Sequence, residues 1–473
     1  MGITNFHKWI KTNHSSCIQS IDKMIETDHL YIDVNFCLHN VVYNTKKFDV
    51  LLKKFCTFVD NMLLKIKPFK SITFATDGPA PYAKLILQRL RRQNMARNLN
   101  YDIDSCEVNP ICFTPGTKFM LDFGSKLENY IENLKEKYNI KIFELFKGPD
   151  EAELKIISQL LKNNNKFPND NHIILSNDAD VIVMTSVTKC YDKISIAVKL
   201  KKELNLFNVK KFSEIINIDH IKNYQNNLDI GFISLFMGND YLPKLMYISF
   251  DGLLKAYRCT LIKNKKGLIN KDYSINVNFF KDFMLSLASS FKNSAWINSF
   301  SILNFNQKMY KNYLEGLVWC IDSYKSGICN KYDYMYNYKQ SPHPLGIHYY
   351  LLFGSKIQIP EPFPIPIPDH IYALLIIPKK AINLIDAKYH IAMNKYLNFL
   401  YEEEICDICC ELHTKLSGLY KTIKYMTIME QDTSKIKQVQ KLSTSLSKKL
   451  AIHRKIHKNI SLKDINFVIN KFK

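Results

Sequence analysis

Seven carboxylates stand where apolar runs end. Asp33 lies in "LYIDVN" and Asp77 closes "SITFATD"; Glu151 and Glu153 follow "FELFKGP". Asp178 and Asp180 follow "HIILSN", and Asp240 follows "LFMGN". Any one of them has an ordinary explanation, because carboxylates routinely cap helix starts. Seven drawn together cannot all ionise without counter-charge, since close like charges raise one another's pKa. Divalent cations supply that charge, and hard oxygen donors suit Mg2+ or Mn2+. Two such ions can activate a water and stabilise the leaving oxygen in phosphodiester cleavage.

A second set is basic. The chain holds six arginines, and four lie between Arg89 and Arg97, a clustering that a lysine-rich coding bias does not produce. Guanidinium forks bind phosphate oxygens bidentately, whereas lysine acts as a point charge. Read as a helix, "AKLILQRLRRQ" puts Lys84, Gln88, Arg91 and Arg92 within about 100° of one face. Ala83, Ile86, Leu87 and Leu90 occupy a different face, suited to packing on a sheet. The polar row can cradle a terminal phosphate; a merely solvated basic face is the plainer alternative. "ICDICCELH" is a weaker signal. Cys406, Cys409 or Cys410, and His413 could supply zinc ligands, but the same spacings equally describe the buried face of a helix.

These residues need a scaffold. The first half alternates apolar runs with helical patterns, as an α/β domain does. Strands are expected at 30–35, 71–76, 140–145 and 172–177, and helices at 46–65, 80–99, 123–138 and 151–163. The implied fold is a mainly parallel central sheet flanked by helices, whose active site lies beyond the strands' C-terminal ends. From about residue 229 the pattern turns mostly helical. "PEPFPIPIPDH" (360–370) cannot be a regular helix or central strand and is expected to run extended.

Composition narrows the partners. A net charge of +21 favours a polyanion, most often nucleic acid. The charge is uneven: residues 414–473 carry 14 Lys+Arg against 3 Asp+Glu, a net of +11. Hydrophobic residues at 47% and charged residues at 23% fit a soluble globular chain, and no run approaches the ~18 apolar residues of a membrane span. The first twenty residues show no signal-peptide core, and twelve scattered cysteines fit free thiols. The expectation is an intracellular monomer, cytoplasmic in the first place and nuclear in the second.

The ordered motifs resemble the Xrn-type 5′→3′ exoribonucleases, within the wider flap-endonuclease and PIN-like superfamily. The opening "MGITNFHKWI", "LYIDVNFCLHN", "TDGPAPYAKLILQRLRR", "GPDEAELKI", "SNDADVIVM" and "FMGNDYLPKL" are similar to successive family motifs, and later stretches match to about residue 380. "PDEAE" stands where the family usually has Gly-Glu-Gly-Glu and looks more like the flap endonucleases. "GNDYLPKLMYISFDGLLKAY" lacks the flap enzymes' Gly-x-Gly-Pro turn.

The resemblance implies a catalytic domain over 1–258, a helical region over 259–413 completing the cleft, and a basic tail over 414–473. It implies hydrolysis of single-stranded RNA bearing a 5′-monophosphate to nucleoside monophosphates, in RNA degradation. Two Mg2+ or Mn2+ ions would be held by Asp33, Asp77, Glu151, Glu153, Asp178, Asp180 and Asp240. Lys84, Gln88, Arg91 and Arg92 would hold the phosphate, with Asn35 also at the substrate. His39 would stack on the first base, opposite Tyr332 or Tyr334 of "YDYMYNY". A DNA-directed 5′ nuclease and a catalytically silent nucleic-acid-binding scaffold are the alternatives.

Overall fold

The structure, a computed structural model, describes the chain except residues 1, 4–5, 44, 98–107, 139, 141, 201–202, 217–223, 247, 290–304, 339–340, 355–356, 402–405, 429–432, 455–459 and 473. The described residues form two compact, interleaved units. The first comprises Met1–Val41, Lys53–Lys84 and Lys126–Pro366; the second comprises Val42–Leu52, Leu85–Ser125 and Ile367–Lys473. The linear division at 258 and 413 is therefore not the one the contacts follow. The segment expected to be a tail is helical, and its boundary at 414 falls inside a helix, Asp407–Ile428.

The first unit is built on a seven-stranded sheet, ordered β1-β7-β6-β5-β2-β3-β4. The strands are β1 (Ile18–Ser20), β2 (Ile25–Asp33), β3 (Ile66–Ala75), β4 (Ile142–Phe146), β5 (His172–Leu175), β6 (Ile194–Leu200) and β7 (Glu203–Asn208). The strands from β6 through β5, β2 and β3 to β4 are mutually parallel. β7 and β1 add antiparallel strands at one edge. The central strands end in fully buried runs, "LYI" in β2 and "ITFA" in β3, as a sheet covered on both faces demands.

Eight helices matter for the site: α1 (Phe6–Asn13), α2 (Val34–Val41), α3 (Phe48–Lys65), α4 (Tyr82–Arg97), α5 (Lys118–Lys137), α6 (Ala152–Lys166), α7 (Ala179–Ser186) and α8 (Gln307–Ser326). Strand register fixes where the catalytic candidates stand. Asp33 pairs with Ala75, Ala75 with Phe146, and Ile32 with Leu175. Asp33 and the residues that follow Ala75, Phe146 and Leu175 therefore leave the sheet at one edge, the C-terminal edge of its parallel strands. Residues 360–368 of the proline-rich stretch form neither helix nor regular strand, with Phe363 in a parallel bridge with Lys331. Asp369 and His370 instead begin a helix, Asp369–Ile376.

Candidate active site

Each acid is placed by its local backbone. Asp33 ends β2, where its Oδ1 accepts from the Phe36 amide at 2.8 Å and its Oδ2 from the Ser176 hydroxyl at 3.0 Å. Ser176 follows β5, so this carboxylate ties two neighbouring strand ends together. Asp77 follows β3; its backbone amide donates to Asn35 Oδ1 at 3.1 Å. Its own Oδ1 accepts from the Ala152 amide at 3.0 Å, which caps α6 from a different loop. Asp178 caps α7 by accepting from the Asp180 amide at 2.9 Å.

The β3–α4 and β4–α6 turns lock against each other. The Gly78 amide donates to Asp150 O at 2.8 Å, and the Asp150 amide to Pro79 O at 3.2 Å. A Cβ on Gly78 would collide with the Gly148 carbonyl, so only glycine permits this approach. Lys155 on α6 donates to Thr76 O and Gly148 O, each at 2.7 Å, clamping both turns. Asp77 and Glu151 are thus presented by one rigid corner.

Lys84 lies among the acids, paired with Glu151 and, at 3.0 Å, with Asp240. Burial opposes its charge, but Asp240, Glu153, Asp178 and Asp77 outweigh that and raise its pKa. The other Glu151 oxygen accepts from the Tyr241 hydroxyl. One ammonium does not neutralise seven acids. Burial, then repulsion from Asp77 and Asp178, pushes Asp33 up to about 7 despite its two hydrogen bonds. Burial, Asp178 and Asp240 push Asp180 up to about 8. Burial and the charges of Asp33, Asp178 and Asp77 hold Glu153 well above the usual carboxylate range.

This donor set fits hard divalent cations: it is all oxygen, buried, and in excess negative charge. Among the described residues no three of these carboxylates bring one oxygen each within 4.8 Å of one another. Lys84, Glu151, Glu153, Asp178 and Asp180 line a small recess, closed by Tyr241 and Tyr324.

All seven expected acids therefore belong to the first unit, at its C-terminal sheet edge. Three neighbours escaped the sequence reading. The Ile3 amide donates to Asp180 Oδ1 at 2.9 Å. Gly2, with φ +75°, approaches Asp178 and Asp180 so closely that a Cβ would strike both. The opening motif "MGIT" carried that signal. Tyr241, beside Asp240 in sequence, carried it too.

The substrate candidates are placed less uniformly. Asn35 is buried against Asp77, and His39 is half-buried on α2. Tyr332 is buried, its hydroxyl donating to Asp150. Tyr334 is 3% exposed, donates to Asn312 O at 2.9 Å, and packs against Trp319 with ring centroids 4.8 Å apart. Both tyrosine rings are core elements here; this segment places neither against solvent.

The basic row on α4 also differs from expectation. Of that row Lys84 and Arg92 are buried, as are Arg89 and Gln93 elsewhere on α4, whereas Leu90 of the expected packing face is exposed. The cations tolerate burial because acceptors meet them. Lys84 has carboxylates in the first unit. In the second unit Arg89 donates to Leu375 O at 2.7 Å and to Leu400 O, and Arg92 donates to Thr114 Oγ1 at 2.8 Å. Gln88 and Arg91 are half-buried, and Gln88 Oε1 has no hydrogen-bond partner among the described residues.

Residues 1–197 match the family described as the XRN 5′-3′ exonuclease N-terminus. Curated proteins similar to this chain include 5′-3′ exoribonuclease 1 of Saccharomyces cerevisiae, 27% identical over 65% of the chain. Those of Schizosaccharomyces pombe and Homo sapiens are 29% and 26% identical over 39% and 70% of it. The matches span 23%, 16% and 22% of those relatives' own lengths. Among solved structures, the catalytic core of Rad2 in complex with DNA substrate is similar at TM-score 0.38 and 14% identity, covering 80% of this chain and 99% of that one.

Proposed function

We propose that the chain is a metal-dependent 5′→3′ exoribonuclease that removes nucleoside monophosphates from single-stranded RNA beginning with a 5′-monophosphate. The observation that carries this is the convergence of seven carboxylates at the C-terminal sheet edge of the first unit, in a chain whose residues 1–197 match the XRN exonuclease N-terminus. Two Mg2+ or Mn2+ ions, held by these carboxylates, would supply an activated water and charge stabilisation at the leaving oxygen. The chain's own groups prepare for that charge. Asp33 and Asp178 are oriented by backbone and hydroxyl donors, Lys84 holds Glu151 and Asp240, and the Gly2–Ile3 segment braces Asp180. His39 and Asn35, on the helix that follows Asp33, are the substrate candidates of this unit. The excess basic charge gives salt-sensitive affinity for the strand.

The test is one assay with four substrates: 5′-monophosphate RNA, 5′-triphosphate RNA, single-stranded DNA and a DNA flap, each with Mg2+ and with EDTA. Stepwise mononucleotide release from the first substrate alone, abolished by EDTA, is the expected result. Preferred cutting of the flap, or release that survives EDTA, overturns the proposal.

A further inference from the structure

The second unit brings together three soft ligands that the proposed nuclease chemistry does not use. Cys406 stands just before the helix Asp407–Ile428, here α9, and Cys409 lies in that helix's first turn. His453 lies in the last turn of the next helix, Thr433–Arg454, here α10. One ligand atom from each of the three lies within 4.8 Å of the other two, and Cys406 Sγ is 3.3 Å from His453 Nε2. Bond lengths of about 2.3 Å to sulfur and 2.0 Å to nitrogen give a tetrahedral site edges of about 3.5–3.8 Å. The trio is close to that size. Cys409 is fully buried, while Cys406 and His453 are partly exposed, so the site is enclosed on the protein side and open to an entering ion.

We propose that Cys406, Cys409 and His453 bind one zinc ion that staples α9 to α10. The ligand softness selects zinc over the hard cations of the carboxylate site. The packing supplies a reason for a staple. Where the helices meet, the buried cluster among the described residues is Cys409, Leu416 and Leu450, with Leu412, Leu446 and Cys406 packed partly against it. A core that small holds two helices weakly, and a structural metal contributes folding free energy directly.

The ligand set differs from the one the local spacing offered. His413 and Cys410 line a separate cavity of about 510 Å³ with Arg97, Lys379 and Lys380. The histidine comes instead from the facing helix, 47 residues after Cys406. In sequence, Cys406-x2-Cys409 and His453-x3-His457 have the spacings of a Cys2His2 site, and His457 lies outside the described residues.

The full-length chain, purified without chelator, should contain about one zinc per molecule. After exchange, its cobalt form should show the sulfur-to-cobalt charge-transfer absorption of thiolate ligation, a signature that Mg2+ at the carboxylates cannot give. Cys406→Ser, Cys409→Ser and His453→Asn should each lower zinc affinity at least tenfold, while Cys410→Ser and His413→Asn leave it unchanged. Absence of the thiolate–cobalt band in the unaltered chain overturns the proposal, even if the variants do not fold. Loss of zinc on His413→Asn with retention on His453→Asn overturns it equally.

Discussion

The two edges of one sheet treat charge in opposite ways. At the N-terminal edge of the parallel strands, Asp28 and Asp170 both meet Lys70. Asp170 accepts from Lys70 at 2.6 Å and pairs with His29 at 3.0 Å; burial raises its pKa, but the hydrogen bonds and charges of Lys70 and His29 together outweigh that and hold it low. His29 also meets Ser71 at 2.7 Å, and Tyr31 meets His172 at 3.0 Å. At the C-terminal edge, seven acids share Lys84, and Asp33, Glu153 and Asp180 are all driven up. The strands and their burial are the same. What differs is compensation, and an uncompensated edge is one that awaits a cation or a substrate.

The sharpest way to break that contrast is to neutralise one acid at the crowded edge. Asp178→Asn should cut Mg2+-dependent RNA cleavage by at least about 10³-fold while leaving Tm nearly unchanged or raised, because repulsion among the acids falls. Cleavage at the parent rate would remove the acids from the reaction. Lys84→Met acts in the opposite sense. It strips Glu151 and Asp240 of their buried partner and should cost about 3 kcal/mol in urea denaturation at pH 8. Mg2+ should restore part of that loss. A loss that Mg2+ leaves untouched would mean that the cation does not sit among these carboxylates. Gly78→Ala probes the corner that aligns Asp77 with Glu151. The added methyl group meets the Gly148 carbonyl, so about 2 kcal/mol of stability should go, with activity falling more than stability explains. Unchanged stability would mean that the two turns are not locked.

How much of this was legible from residues alone follows from how local each determinant is. The four parallel strands from β2 to β5 were readable as short apolar runs bounded by turns, although burial ranges from complete in β5 to partial throughout β4. β6 and β7 were not read, although "ISIAVKL" and "ELNLFN" carry some of the alternation of an edge hairpin. Six of the seven acids were readable because each ends or follows a strand, and register does the rest; Asp240 instead follows a helical turn, Leu235–Met237. Their neighbours were not: Ile3 reaches Asp180 across 177 residues, and no local pattern encodes such a contact. The α4 faces were misread for a related reason. Periodicity assumes that cations face water, whereas Lys84 and Arg89 are buried against acceptors that sequence spacing cannot place. The tyrosine segment was read through its composition, and its rings are buried by partners such as Trp319 on α8. The proposed ligand His453 was not legible either, because its helix begins 24 residues after Cys409.

The balanced edge makes its own prediction, smaller and read through pH. His172 is buried, its Nδ1 bonded to Tyr31 and its Nε2 without a partner among the described residues. Burial, with the neighbouring His29, pushes its pKa down to about 3, and burial also lowers that of His29. An imidazole in the unfolded chain titrates near 6.5, so as pH falls the unfolded state takes up the proton first. The stability contribution is therefore complete above about pH 6.5 and is lost progressively toward pH 3, at up to about 1.4 kcal/mol per pH unit for one such proton. Acids titrating elsewhere add to the slope in parent and variant alike, so the difference isolates this ring. His172→Phe keeps an apolar ring in the same space and cannot charge. Between pH 6 and pH 4.5 its Tm should fall less steeply than the parent's. Parallel curves would mean that His172 takes up a proton without unfolding, and the balanced edge would then be as open to charge as the catalytic one.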